Sequence, residues 1–433
     1  MKQLLDDILD MSLARGASGA RARVECGFED AVTVLDGEVD KVETSEGKTL
    51  VLKLFVDGRS GLFSTNQLDR EQLQSFVARA VELTSLMERD ECNVMPDPAL
   101  YYRPGAASLD LGQYSPAVEA ITAVELRRMA LECGDGVAAQ RCDALLSAEI
   151  EAGRSVSHSF LADTGGFYGE ESCSMLSISA QCSVKDGESR PEGFWYDIST
   201  DGNGIDCAGC GALAVAKALE RVGASKAEPG LYDIVVDTDS ASRMVSPLLS
   251  SLSGSAIYHK NSFLPDSLGR QIFFPGLNIF EKPHTVGAFG ASYFDIEGIA
   301  THTGPVIEGG CVRKYFLNSY YAGKLGMTAT GGSPSVIEIN GAGSRDELLA
   351  KLGRGLLVTS FLGGNHNSST GDFSYGISGF LIEDGRVGRP VDGVNFTGNF
   401  LDIWGREVLA ADDCRCLSSK RIPSLAFTGA NIS

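Results

Sequence analysis

The stretch of sequence that decides the fold runs from Phe361 to Trp404 and reads FLGGNHNSSTGDFSYGISGFLIEDGRVGRPVDGVNFTGNFLDIW. A Gly-Gly pair leads into a polar loop, which residues 371–374 (GDFS) close. Residues 375–383 alternate small and apolar side chains as a β-strand does, and Asp384-Gly385 predicts a hairpin turn. Glycines at this density indicate backbone that needs positive φ or that closely approaches another chain or a ligand.

The loop at residues 365–370 reads NHNSST and is rich in side-chain donors and acceptors. Such a loop is either a binding surface or a turn network in which the side chains bond one another. The sequence leaves both readings open.

The overall composition is that of an ordinary globular protein, with 43% hydrophobic and 22% charged residues among 433. No apolar run approaches the roughly 20 residues that a membrane helix needs. The first residues, MKQLLDDILDMSLARGA, interrupt any apolar region with acids, so they do not resemble a secretory signal. We therefore expect a cytoplasmic protein without membrane contact.

The net charge of −20, from 57 acids against 37 bases, argues against nucleic-acid binding, which relies on neutralising phosphates. Eleven cysteines scattered through a long chain of intracellular appearance do not predict a disulfide framework. Cys207 and Cys210 have CxxC spacing, but the second CxxC pair that a zinc ribbon needs is absent. We therefore interpret these two cysteines as small apolar residues at the start of a helix.

The pattern of elements predicts an α+β, multi-domain protein: N-terminal units of helices and antiparallel sheet, followed by a glycine-rich, mostly β C-terminal domain. The predicted domains are residues 1–92, 105–225 and 230–433. Within the first, hairpin turns are expected at Asp36-Gly37 and Asp57-Gly58. Separate strands are expected at residues 20–28 and 31–35.

The second predicted domain begins with one helix over residues 115–133 and continues with a sheet. The third begins with a buried strand at residues 232–236 and a helix capped by Asp239 or Ser240. Its later short strands and many glycines suggest a barrel-like or tightly turned β domain.

Common catalytic signatures are missing from the sequence. It contains no GxSxG nucleophile elbow and no GxxxxGK[ST] phosphate loop. The run Ser157-His158-Ser159 is of a kind that occurs by chance and does not define a triad. Asp237 and Asp239 could bind a hard cation, but a helix cap is the simpler interpretation.

Several runs resemble the TldD/PmbA family, and specifically its PmbA (TldE) branch. The most specific is NxxTGDFSxGxxGxxIExG at residues 367–385, followed by PV and then GN. Residues 255–264 (SAIYHKNSFL), 294–301 (FDIEGIAT) and 315–326 (YFLNSYYAGKLG) also match. A looser match spans residues 36–65, so the resemblance covers nearly the whole chain.

In that family the TldD-like members are zinc peptidases with an HExxxH run on a helix near the start of the C-terminal domain. The corresponding stretch here, SASRMVSPLLSSLSGSAIYHK, has no glutamate and no histidine before His259. A zinc site built from distant residues, for instance His284 and His302 with a carboxylate, remains a minor alternative. The resemblance therefore assigns no catalytic residue, no metal ligand and no cofactor to this chain, and it places the zinc in a TldD-like partner.

The resemblance implies a subunit of a cytoplasmic metallopeptidase that acts on peptides or unfolded proteins. Such a subunit would form a heterodimer with a zinc-bearing TldD-like chain, or self-associate without it, and would be inactive alone. The alternative is a non-catalytic peptide-binding or regulatory protein of the gyrase-modulator type; direct action on DNA is disfavoured by the charge. The candidate residues of a peptide cleft, where strand edges align an extended peptide, are Asn365, His366, Asn367, Thr370, Asp372 and Glu297.

Overall fold

An antiparallel sheet of six strands, in the order β3-β2-β1-β4-β5-β6, occupies the first half of the computed structural model, which describes residues 1–105 and 108–433. Its strands are β1 Gly19–Leu35, β2 Glu38–Val56, β3 Arg59–Thr65, β4 Leu145–Asp163, β5 Tyr168–Val184 and β6 Glu192–Ser199. The pairing of β1 with β4 runs from Arg21 opposite Asp163 to Leu35 opposite Glu149. The first two predicted domains thus share one sheet. Their boundaries stay a prediction. Residues 106 and 107, which belong to the second predicted domain, lie outside the described residues.

Strand β1 is continuous, so the predicted division of residues 20–35 into two strands is wrong. In the fold, Asp30 lies on a strand between two partners: Arg154 of β4, with a nitrogen-to-oxygen distance of 2.7 Å, and Thr44 of β2, whose hydroxyl donates to it at 2.7 Å. Cross-strand pairs of this kind stabilise a charged residue within a sheet. The expected hairpin turns are present, since Asp36, Gly37, Asp57 and Gly58 all have positive φ.

One face of this sheet is covered by helices. They are α1 Lys2–Ala14, α2 Arg70–Ser85, α3 Pro116–Glu119, α4 Ala123–Ala139 and α5 Cys207–Glu220. A short 3-10 helix at Pro98–Leu100 leads into Tyr101, which packs against Leu161 and Phe167. Helices α1 and α2 pack on Ala20 and Val24 of β1, and α4 and α5 pack near Val32 of the same strand. Because side chains alternate along a strand, these even-numbered residues share a face and leave Arg21 on the opposite face.

The single helix expected over residues 115–133 is also wrong, because the structure has two helices there. Ser115 caps α3 and Thr122 caps α4. Thr122 and Glu125 form a capping box, in which each side chain accepts a hydrogen bond from the other residue's backbone N–H. This reciprocal bonding marks the start of a new helix, α4, at Ala123 and so separates α4 from α3.

The C-terminal region contains a sheet that closes on itself. Its strands are β7 Gly230–Val236, β12 Gly355–His366, β13 Asp372–Glu383, β14 Arg386–Asn399, β15 Val408–Ala410 and β17 Leu425–Ile432. The order is β14-β13-β12-β7-β17-β15, and β14 pairs in addition with β17 through Phe396 opposite Ile432. The sheet therefore forms a ring of strands, which agrees with the expected barrel-like domain.

A second, smaller sheet and five helices complete this region. Its strands, in the order β10-β9-β8-β11-β16, are β8 Ile279–Glu281, β9 Gly304–Glu308, β10 Cys311–Val312, β11 Ile337–Glu338 and β16 Lys420–Arg421. The helices are α6 Thr238–Ser251, α7 Gly254–Tyr258, α8 Ser319–Leu325, α9 Arg345–Leu352 and α10 Phe400–Gly405. A continuous core that includes Trp404, Phe316 and Phe427 fills the space between α6 and both sheets.

Helix α6 follows directly after β7 and is capped by Asp237, not by Asp239 or Ser240 as the sequence suggested. The Asp237 carboxylate accepts from the N–H of Asp239 and pairs with Arg345 at 2.7 Å. The predicted cap therefore lay two or three residues too late. Across the described ranges, no helix combines the length and apolarity needed to cross a bilayer.

Candidate functional site

The outer half of β12 has one edge without a strand partner in the described part of the chain. Strand β12 pairs with β7 only at residues 356–358, whereas its pairing with β13 continues to His366. Two register shifts, after Val358 and after Phe361, bend the strand there. β-bulges of this kind are common beside functional sites because they redirect a strand edge.

Two glycines make this bend possible. Gly363 and Gly364 have φ of 152° and 100°, and a Cβ on Gly364 would lie 2.0 Å from the carbonyl oxygen of Ser374. No other residue type fits that close approach. Residues 362–365 are all exposed, so this bent edge faces solvent.

Helix α6 forms the wall opposite this edge. The Ser240 hydroxyl donates to the Thr359 carbonyl at 2.8 Å, and an Arg243 Nη donates to the Gly364 carbonyl at 3.1 Å. The Arg243 guanidinium also lies over the Tyr375 ring, 4.7 Å from its centroid. These contacts satisfy the Thr359 and Gly364 carbonyls, and among the described residues no strand pairs with the backbone between them on this side.

Sequence analysis did not predict that Ser240 and Arg243 belong to this site. Their spacing of three residues does put them on one face of a helix. That face could be assigned to β12 only once the position of β12 relative to α6 was known.

The polar loop after β12 is held by bonds among its own side chains. The Asn367 side-chain oxygen accepts from the backbone N–H of Ser369 at 2.9 Å. The Thr370 hydroxyl donates to Asp372 at 2.7 Å, and the Asn399 amide donates to the same carboxylate at 2.9 Å. These hydrogen bonds lower the pKa of Asp372, and the bond from Asn399 has the largest effect. Asn367, Thr370 and Asp372 thus form a turn network in which the side chains bond within the loop. This is one of the two interpretations that the sequence left open.

Asn365 and His366 differ from the rest of the loop, because they end the exposed edge of β12. His366 is half-buried, with Nδ1 3.5 Å from the Tyr375 hydroxyl and its ring 5.9 Å from that of Phe400. Burial, followed by the charge of Arg243, lowers the pKa of His366. Its imidazole is therefore neutral at pH 7 and offers one donor and one acceptor to a ligand.

Glu297 has a different environment from the other candidates. It is buried, pairs with Arg21 of β1 at 3.2 Å, and accepts from both the N–H and the hydroxyl of Ser319 at 2.7 Å. Burial by itself would raise the pKa of Glu297, but Arg21 and the Ser319 bonds outweigh it and the pKa is lowered. Its bonds join the N-terminal sheet to α8 and do not include any residue of the polar loop.

A cavity of about 570 Å³ adjoins the polar loop at the end of α6. Asn261 connects the two, because its side-chain oxygen accepts from the Ser369 hydroxyl at 2.9 Å. The cavity is lined by Ser250, Ser251, Ser253, Ser255, Ala256, His259, Asn261 and Ser368. The lining is thus almost entirely neutral and hydrogen-bonding, which suits a peptide backbone better than an ion.

The residues along α6 do not fit a zinc site. The hydroxyls of Ser246 and Ser250 donate to backbone carbonyls one turn earlier, at 2.8 Å and 2.9 Å. In the described ranges no group of three or more histidine, cysteine, aspartate or glutamate side chains is placed to hold a metal ion. His284, a sequence candidate, bonds instead to Thr301 at 3.0 Å, and burial followed by the charge of His302 lowers its pKa.

Two family models match the chain. The PmbA/TldA metallopeptidase domain 1 matches residues 20–84, and the PmbA/TldA metallopeptidase C-terminal domain matches residues 229–433. Relatives named metalloprotease PmbA include a homolog from Haemophilus influenzae, 26% identical over 100% of this chain and 96% of its own length. Another, from Escherichia coli O157:H7, is 28% identical over 94% of this chain and 91% of its own length.

Solved structures give the same result. A protein of Bacteroides thetaiotaomicron, described as a candidate modulator of DNA gyrase, has a TM-score of 0.95 and 36% identity over 100% of this chain and 98% of its own. TldE of Thermococcus kodakarensis, at 18% identity over 99% of this chain and 100% of its own, has a TM-score of 0.85 and shares the fold. This chain belongs to the TldD/PmbA family of metallopeptidases.

Proposed function

We propose that this chain is a PmbA/TldE-like subunit that contributes a peptide-binding surface to a two-chain metallopeptidase. A TldD-like partner supplies the zinc and the catalytic residues, and the pair degrades peptides or unfolded proteins in the cytoplasm. The observation that carries this proposal is the unpaired, exposed edge of β12 opposite α6, a helix whose polar residues there are serines and Arg243.

An extended peptide can add to such an edge as a further strand. The main-chain groups of the peptide would bond the β12 backbone between Thr359 and Gly364, whose carbonyls α6 already contacts. Binding through the main chain is insensitive to sequence, which is what a protease for unfolded segments needs. Leu362 is 53% exposed on this edge and gives the peptide an apolar contact.

Pairing with a zinc-bearing chain is supported by the donor set of α6. Serine hydroxyls that already donate to carbonyls neither bind zinc nor activate water, so hydrolysis requires groups from elsewhere. In the absence of that partner the chain is expected to self-associate.

The test is a reconstitution of the purified chain with a TldD-like chain from the same organism. Azo-casein cleavage is measured for each chain alone and for the equimolar mixture, with and without a chelator, and metal content is measured in parallel. We expect cleavage in the mixture only, abolished by the chelator, with the metal in the partner. Cleavage by this chain alone, with stoichiometric zinc, would overturn the proposal.

A second candidate function is peptide binding or regulation without hydrolysis. It is favoured by the polar loop, in which Thr370 and Asn399 both donate to the Asp372 carboxylate instead of leaving it as a free base. In the same experiment this function predicts peptide binding by the chain but no cleavage in any mixture.

A further inference from the structure

Arg415 connects the two halves of the molecule. It lies in the segment between β15 and β16, and one Nη is 2.9 Å from a carboxylate oxygen of Asp239 in the first turn of α6. Its other Nη donates to the Tyr196 carbonyl of β6 at 2.6 Å, and its Cζ lies 3.8 Å from the centroid of the Trp195 ring. One guanidinium therefore links the N-terminal sheet to α6, the helix that faces the β12 edge.

Two cysteines flank this arginine in sequence, and their sulfur atoms are in contact. The Sγ atoms of Cys414 and Cys416 are 3.4 Å apart, and the Cys416 N–H donates to the Cys414 Sγ at 3.3 Å. Cys416 has a φ of 56°, in the left-handed region that cysteine rarely adopts. This turn of the backbone brings both side chains to one side of the segment while Arg415 points away to its own partners.

The accessibility of this pair distinguishes it from the other thiols that lie close together. Cys414 and Cys416 are both half-buried. Cys133 and Cys210 also contact each other, but they are 0% and 2% exposed in the core between α4 and α5. Cys414 and Cys416 are therefore closer to solvent than Cys133 and Cys210.

We propose that Cys414 and Cys416 form a site of reversible oxidation that closes to a disulfide by exchange with a low-molecular-weight disulfide and thereby alters the Arg415 link. Disulfides inside cells are typically transient and redox-sensing, and this role fits such a pair. The inference goes beyond the proposed function and does not depend on it.

The exchange proceeds in two balanced steps. The Cys416 thiolate attacks one sulfur of the small disulfide, forms a mixed disulfide and releases one small thiolate. Cys414 then loses its proton to solvent, attacks the Cys416 sulfur and releases the second small thiolate. The two cysteines lose two electrons together, and the small disulfide gains them and becomes two thiols. Burial, aided by the bond with Cys416, raises the pKa of Cys414 to about 12, which makes Cys414 a poor first nucleophile.

Closure changes the geometry at Arg415. The sulfur atoms must move from 3.4 Å to the bonding distance of about 2 Å, and the new ring includes the Arg415 backbone. The guanidinium is then displaced from Asp239, Tyr196 and Trp195, because its three contacts require the present backbone direction.

The chemical test uses the reduced full-length chain, treated with oxidised glutathione and digested with trypsin without reductant. We expect the segment 407–420 to have lost two hydrogens, either uncut or as two peptides held together after cleavage at Arg415. Added reductant should restore the thiol form. Glutathione retained on Cys416, or no reaction while Cys173, an exposed single thiol, becomes glutathionylated, would overturn the proposal.

The structural consequence has its own readout in tryptophan emission. The protein has two tryptophans: Trp195 beside Arg415, and Trp404, which is 0% exposed in the core. Oxidation should change the emission of the wild type and of the Cys173→Ser control, but not that of the Cys416→Ser or Trp195→Phe variants. A disulfide that forms without any change in Trp195 emission would refute the link to Arg415.

Discussion

Arg21 and Glu297 form an ion pair at 3.2 Å that joins the N-terminal sheet to the C-terminal region, with side chains only 7% and 5% exposed. The pair is not fully satisfied, because the Nε and one Nη of Arg21 are buried and have no hydrogen-bond partner among the described residues. Glu297 is better supplied, since Ser319 donates to it twice. Arg21 and Ser319 therefore both stabilise the Glu297 carboxylate. Replacing either residue should weaken this contact between the N-terminal sheet and the C-terminal region.

The first prediction concerns the loss of one partner of this pair. Arg21→Met leaves the Glu297 carboxylate buried without its cation, so the free energy of unfolding should fall by about 3–5 kcal/mol. Urea denaturation measures this. The double variant Arg21→Met/Glu297→Gln, which removes both charges, should recover much of the loss. Equal stability of the single and double variants would contradict the prediction.

The pH dependence of stability should carry the signature of Glu297. Its pKa in the folded state is lowered from the ordinary value of 4.5, so the unfolded chain binds the proton more readily. The stabilisation is present above pH 4.5 and is lost as pH falls through the lower, folded-state pKa. The stability difference between wild type and Glu297→Gln, measured by urea denaturation at several pH values, should therefore shrink on acidification. A difference that grows as pH falls would show the opposite sign.

Closure of the C-terminal ring of strands should depend on Ile432. This side chain is 1% exposed and lies opposite Phe396 where β14 meets β17. Ile432→Ala should reduce the free energy of unfolding by about 2–5 kcal/mol, because it removes buried apolar contact and leaves a cavity. The neighbouring Asn431→Ala is the control: Asn431 is exposed and loses one hydrogen bond, to Thr397, so its cost should be near 1 kcal/mol.

Peptide binding should be sensitive to a charge on the β12 edge. Leu362→Lys places a cation on the exposed edge, where charged residues oppose the addition of a further strand. Affinity for an unfolded peptide, followed by fluorescence anisotropy, should fall several-fold. Leu231→Lys is a matched control, because Leu231 is 75% exposed but lies on β7 and is paired with β17. Equal effects of the two variants would remove the edge from the proposed site.

Zinc should not stabilise the isolated chain. A ligand that binds only the folded state raises the melting temperature, by an amount that grows with the logarithm of its concentration divided by Kd. The described residues contain no group of three or more histidine, cysteine, aspartate or glutamate side chains placed to hold a metal ion. Thermal scans with and without added zinc should coincide. A rise in the midpoint would instead indicate a site built from distant residues, and His284, His302 and His366 would be the first to replace.

Features fixed by neighbours in sequence were the ones that sequence analysis could predict. The turns at Asp36-Gly37 and Asp57-Gly58 require positive φ, which these dipeptides adopt readily. The division of α3 from α4 was also encoded locally, by Thr122 and Glu125, but the apolar periodicity of the surrounding residues hid it. The continuity of β1 at Asp30 was not predictable, because it depends on Arg154, more than a hundred residues away.

The candidate site shows the same limit. Asn367, Thr370 and Asp372 could be recognised as a group because they lie together in sequence, but whether they bond a ligand or one another required coordinates. Glu297 was chosen from the same family resemblance, yet its partner Arg21 lies in β1. Arg243 was missed because its role arises only from the packing of α6 beside Gly364.

The position of β17 in the ring has a consequence for synthesis. This strand pairs with β7, the first strand of the domain, on one side and with both β14 and β15 on the other. Because Gly230 pairs with Ile432, the ring cannot close while the ribosome still holds β17. Until then β7 and β14 expose strand edges that are open to unwanted pairing, and long-range closure of this kind is slow. The C-terminal domain should therefore complete its fold only after β17 has been synthesised and has emerged from the ribosome.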